Sequence, residues 1–137
     1  MSVLYCCGCG ADTEARLTNG AEIYPHRPDL HELPFWVCDA CGNYVGCHHR
    51  TTNRTSPLGC IPTQELRDAR KQAHAIIDPL WRSGAMTRKA VYAAISRALG
   101  TKYHTAETRT IAEVREAVQA AVSLCKELNK AALEQKQ

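Results

Sequence analysis

Two Cys-x-x-Cys pairs, Cys6 with Cys9 and Cys38 with Cys41, constrain this chain more than any other feature. Two residues between cysteines let the backbone curl so that both sulfurs face one point, and two such pairs complete a tetrahedron. Gly10 and Gly42 follow the second cysteine of each pair and give the turn its freedom. Full sulfur coordination with no open position suits one structural Zn²⁺; an iron centre would need the same four sulfurs and is the lesser alternative. The string around Cys6, Cys7 and Cys9 leaves Cys7 as a second candidate, but only Cys6 has the two-residue spacing.

Seven of the eight cysteines fall before residue 61. Such clustering argues for metal over disulfides if the compartment is reducing, and the N-terminal sequence lacks the pattern of a secretory signal. The expected location is therefore the cytoplasm. No apolar run approaches the roughly 20 residues that a membrane span needs, so no membrane partner is expected.

The texture changes at about residue 62. Residues 1–62 hold six of the eight glycines and five of the six prolines, between short β-prone runs. Strands are expected at residues 15–18, 22–24, 35–37 and 44–46, with Asn19 and Gly20 as a tight hairpin turn. So few aliphatic residues cannot build a core of useful size, the situation in which a metal replaces missing burial.

After Pro62 the apolar residues recur at helical steps. A first helix carries Leu66, Ala69, Ala73, Ile76, Ile77 and Leu80 on one face, with Thr63 as its cap and a kink or restarted turn at Pro79. A second starts at the Thr87 cap, buries Val91, Ile95, Ala98 and Leu99, and stops at Gly100. In the third, Thr110 and Glu113 have capping-box spacing, and Ile111, Val114, Val118, Ala121, Cys125, Leu128 and Ala132 form a seam. That seam packs inside the chain or across a two-fold axis, the latter giving a homodimer through the last helix. The expected architecture is α+β: a β-rich zinc-ribbon lobe over residues 1–62, then a three-helix lobe over residues 63–137 packed on it as one folding unit.

Charge divides along the same line. Residues 1–62 carry four Lys and Arg against six Asp and Glu, and residues 63–137 thirteen against eight. This balance is compatible with an anionic partner but does not by itself announce one. Arg50 and Arg54 stand in an acid-free run of donors after His48, which suits phosphate contact. His26, Arg27 and Asp29 form a second polar cluster, read first as an internal Arg27–Asp29 pair. His74 and Asp78 are four apart on one helix face and read as a local pair. Cys47 beside His48 could be a nucleophile with its base, but neighbours in sequence rarely face each other, so a surface turn is the expectation. Cys7, Cys60 and Cys125 read as small core side chains, and Trp36 and Trp81 as core.

The runs TNGAEIYPHRPDLHELPFWVCDACGNYVGCH, SPLG, ELRDARKQAHAIIDPLW and MTRKAVYAAISRALG resemble a family of short bacteriophage and prophage proteins described as a zinc-finger-containing domain of unknown function. His104 matches a histidine of the family's C-terminal motif, and the residues after it depart from the pattern. The resemblance implies the four-cysteine zinc site and a phage-type accessory role in a host cytoplasm, and it supplies no activity.

Three readings follow. The first is a module with structural zinc that binds nucleic acid, with His26, Arg27, His48, Arg50, Arg54, Arg67 and Arg88 as contacts, and Arg70 among the helical cations on phosphates. The second is an inhibitor or adaptor that docks on a host protein. The third, least favoured, is an enzyme in which His26, Asp29, His48, His74 and Asp78 converge; no catalytic residue is assigned.

Overall fold

The computed structural model describes residues 1–135. It divides into two compact units, Met1–Arg67 and Asp68–Gln137, so the division falls inside the first long helix and not ahead of it. Among the described residues no helix is long and apolar enough to cross a membrane.

The first unit is a four-stranded antiparallel sheet in the order β1 (Ser2–Cys6), β2 (Ala11–Asn19), β3 (Pro34–Val37) and β4 (Tyr44–Gly46). Leu17, Trp36 and Val45 lie opposite one another across the central strands. Trp36 and Val45 join Cys6, Ala15, Cys38, Cys47 and Ile61 in one buried cluster. The edges of the sheet do not stay open. On one side Leu58 N donates to Gly46 O and His48 N to Ser56 O; on the other Ile61 N donates to Tyr5 O and Cys7 N to Ile61 O. The segment 56–61 is thus a strap that touches both β4 and β1, which satisfies edge groups that would otherwise invite another chain.

Two expectations for this unit fail. Residues 22–24 are not a strand, and Asn19 with Gly20 is not a hairpin turn: Gly20–Ile23 forms one helical turn, α1, and a 3₁₀ turn at Pro28–Leu30 follows before β3. The cause is local. Asn19 Oδ1 accepts from Ala21 N at 3.0 Å and caps the turn, and Gly20 N bonds Leu33 O. β1 is an addition to the expected strands: its run Val3, Leu4 and Tyr5 leads into the first knuckle and pairs along β2 from Ser2 to Cys6, with Val3 exposed.

The remaining helices are α2 (Gln64–Arg82), α3 (Arg88–Leu99) and α4 (Ile111–Gln135). α2 continues through Pro79 without interruption, so the expected restart does not occur. Its buried stripe is Leu66, Arg70, Ala73, Ile77 and Leu80, whereas Ile76 is exposed. α3 begins and ends as the sequence indicates: Thr87 Oγ1 accepts from Ala90 N, and Gly100 is left-handed at φ 74°. Val91 and Ile95 are buried, but Ala98 is exposed. One half of the α4 capping box is present, since Glu113 N donates to Thr110 Oγ1; the returning bond falls one residue earlier, with Glu113 Oε2 accepting from Arg109 N. α3 packs on α4. Val114, Ala117 and Ala121 are buried there, while Cys125, placed on the seam by its spacing, is exposed.

Candidate metal centre

The first cysteine pair sits in the turn from β1 to β2, and the second in the turn from β3 to β4. The two turns are built alike. Gly10 N bonds Cys6 O at 2.8 Å, Gly42 N bonds Cys38 O at 2.7 Å, and the two glycines have φ of 69° and 77°. A left-handed residue there closes the turn, which is why glycine follows each pair. Within each turn the first sulfur accepts backbone N–H groups: Cys6 from Cys9 and Gly8, and Cys38 from Cys41 and Ala40.

The sulfurs of Cys6, Cys9, Cys38 and Cys41 all lie within 4.8 Å of one another. Cys6 Sγ is 3.3 Å from Cys41 Sγ, and Cys9 Sγ is 3.7 Å from Cys38 Sγ. Disulfide bonds are near 2.05 Å, so these are not bonded pairs; a tetrahedron of Zn–S bonds has edges of roughly 3.8 Å, close to what is seen. Cys6 and Cys38 are buried, and Cys9 and Cys41 exposed. Cys7 lies outside the cluster, its sulfur 3.9 Å from that of Cys60.

Electrostatics favour a cation here. Four thiolates so close repel one another, and without a positive ion the cluster holds protons instead. Hydrogen bonding with the Cys38 and Cys6 sulfurs pushes Cys9 up to about 12, and burial pushes Cys6 up. Burial also acts to raise Cys38, but the Cys41 N–H, the Thr13 hydroxyl, the Cys41 thiol and the Ala40 N–H outweigh it and bring Cys38 down to about 6. The four-sulfur donor set, its near-tetrahedral spacing and its amide contacts fit one structural Zn²⁺. Cys6 and Cys9 of the β1–β2 turn and Cys38 and Cys41 of the β3–β4 turn would hold such an ion, which would serve as a structural tie between the two turns.

Three residues that support the cluster escaped the sequence reading. Asn43 Nδ2 donates to Cys41 Sγ at 3.3 Å. Thr13 reaches Cys38 from β2. Gly8 stands where a Cβ would fall 2.4 Å from Asn43 Nδ2. The pattern Cys41, Gly42, Asn43 was a usable signal for the first; nothing in the sequence marked Thr13.

The polar candidates separate into engaged and unengaged groups. Arg27 forks onto Asp29 at 2.8 and 3.0 Å, as the sequence suggested, and His26 is exposed beside it. Arg67 lies over the Tyr44 ring, 3.8 Å from its centroid, and donates to Tyr44 O and Gln64 Oε1. Arg88 is exposed, 4.8 Å from the Tyr92 centroid. Arg70 is buried and donates to Thr108, so it is not a phosphate contact. His74 pairs with Asp78 at 3.3 Å, and Trp81 Nε1 also donates to Asp78. Cys47 is buried while His48 is exposed, which separates them as a nucleophile and base. His48, Arg50 and Arg54 are exposed on one loop, whose base is held by Trp36 Nε1 donating to Thr55 O at 2.7 Å.

No curated protein and no solved structure matches the chain. A family model described as a zinc-finger-containing domain matches residues 2–128 and so takes in both cysteine pairs and most of α4. With four sulfurs gathered as a zinc finger requires, the chain belongs to the family of the zinc-finger-containing domain.

Proposed function

We propose that this zinc-binding module binds nucleic acid through the loop of residues 48–55. One observation carries the reading: Arg50 and Arg54 are exposed and form no ion pair among the described residues, whereas Arg16 and Arg27 of the same unit are held by carboxylates. An arginine already neutralised by Asp or Glu gains little from a phosphate; an unneutralised one releases counterions when it meets one. Arg27 therefore leaves the contact set. His48, Arg50 and Arg54 form its centre. Zinc acts at a distance, by fixing the sheet that carries the loop.

The test is retention on an immobilised DNA or RNA column across a salt series. Binding should fall steeply with salt, and Arg50→Ala with Arg54→Ala should reduce the salt slope by about 2, near one unit per lost phosphate contact. Retention that ignores salt, or is unchanged in the double variant, rules the reading out.

A protein partner is the second reading, supported by α4, whose solvent side leaves Val122 at 39% and Leu133 at 65% exposure. A host protein or a second copy of the chain would cover that face, and the resemblance to phage sequences supports the host. Co-purification of one host protein that survives nuclease and moderate salt would favour it over nucleic acid.

A further inference from the structure

We infer that Cys7 and Cys60 are a thiol pair that closes to a disulfide while the four metal ligands stay on the ion, independently of what the module binds. The pair is the one close cysteine contact outside the metal cluster among the described residues, with sulfurs 3.9 Å apart. Cys7 occupies the turn between ligands Cys6 and Cys9 and is half-buried; Cys60 is 5% exposed and belongs to the strap. Backbone bonds fix their relative position: Cys7 N to Ile61 O and Ile61 N to Tyr5 O, both 2.8 Å. Ile61 pairs with Cys6, so Cys7 and Cys60 are diagonal neighbours across that bridge, roughly 7–8 Å apart at Cα by ordinary sheet geometry. With the sulfurs already at 3.9 Å, closure to about 2.05 Å combines side-chain rotation with a small inward shift of the strap.

The other cysteines compete poorly. Cys6, Cys9, Cys38 and Cys41 are committed to the metal, Cys47 is buried in the sheet core, and Cys125 lies in the other unit. The oxidant is a low-molecular-weight disulfide such as oxidised glutathione. The half-buried Cys7 sulfur attacks it, forming a mixed disulfide and releasing one small thiol. Cys60 then attacks the Cys7 sulfur and releases the second. The protein loses two protons and two electrons, and the small disulfide is reduced to two thiols. The new bond ties the strap to the first knuckle and encloses β2, β3 and β4, so it holds the lobe together when metal is withdrawn.

The experiment uses the full zinc-loaded chain carrying Cys125→Ser, equilibrated in oxidised glutathione. After quenching, denaturation with chelator and alkylation, titratable thiols should fall from seven to five. Zinc should remain at one per chain before denaturation, and peptide mapping should find Cys7 joined to Cys60. The oxidised form should also release zinc to a chelator several-fold more slowly. Zinc lost in step with the thiols, glutathione left standing on Cys7, or the same two-thiol loss after Cys60→Ser would each overturn the assignment. Mapping of the unmutated pair decides the matter even if Cys60→Ser fails to fold.

Discussion

Gly8 in the first knuckle and Asn43 just past the second meet across the metal cluster: a Cβ on Gly8 would fall 2.4 Å from Asn43 Nδ2, the group that donates to Cys41 Sγ. Gly8→Ala should displace the amide, which is the free end of a side chain, and so remove a hydrogen bond from a ligand sulfur. Outer contacts of this kind are worth about 10- to 100-fold in metal affinity. Asn43→Ala should weaken zinc by a similar factor, and adding Gly8→Ala to it should cost little further. Competition with a chromophoric chelator measures all three; additive losses would mean that the two residues act separately.

The ligand set has its own test. Cys38 is 1% exposed and accepts two backbone N–H groups, so Cys38→Ser places a poorer ligand at a buried corner of the tetrahedron. Elemental analysis should give one zinc per chain in the native protein and close to none in the variant. The first unit should lose its near-ultraviolet signal from Trp36, because metal binding and folding are coupled in a lobe this size. A variant that keeps full zinc refutes the assignment of Cys38.

Gly20 is required for space and not for a positive φ. A Cβ there would lie 1.7 Å from the carbonyl oxygen of Leu30, a backbone atom that cannot swing aside. Gly20→Ala should destabilise the zinc-loaded protein by about 2–4 kcal/mol in denaturant unfolding, as overpacking against fixed backbone does. A loss under about 0.5 kcal/mol would show that α1 can move off the segment at Leu30.

How far the sequence could be read follows from how local each determinant is. The knuckles were legible because spacing alone brings their sulfurs together, and the caps at Thr87, Gly100 and Thr110 because each closes within four residues. The helical turn at Gly20 was missed because Asn19 with Gly20 is also a good hairpin signal, and what decides between them is the distant Leu30 and Leu33 backbone. Arg70 and Ala69 are neighbours that could equally have lain on the buried stripe. Arg70 does so because Thr108, far along the chain, offers acceptors for its guanidinium. Cys125 fits the seam of α4 by its spacing yet stands exposed, which no periodicity reveals. The strap at 56–61 has too few residues on either edge to carry a pattern at all.

Tyr103 makes the helical unit sensitive to alkali. Its ring stacks on Tyr92 at 5.7 Å, and its hydroxyl bonds Thr105 Oγ1 at 2.8 Å within a site that leaves 7% of it exposed. Burial pushes the phenol up, against smaller opposing effects from Thr105 and Arg70. The folded chain therefore keeps this proton more tightly than the unfolded one. Both states hold it at neutral pH, so nothing is lost there; above the unfolded value of about 10, the unfolded chain ionises first and stability declines as pH rises toward the folded value. Tyr103→Phe should cost about 1 kcal/mol at pH 8, where a hydrogen bond is removed, and should show a smaller decline between pH 8 and pH 11. Urea unfolding followed by helical circular dichroism at the two pH values measures both, and an equal decline in the two proteins would assign the alkaline sensitivity to other groups.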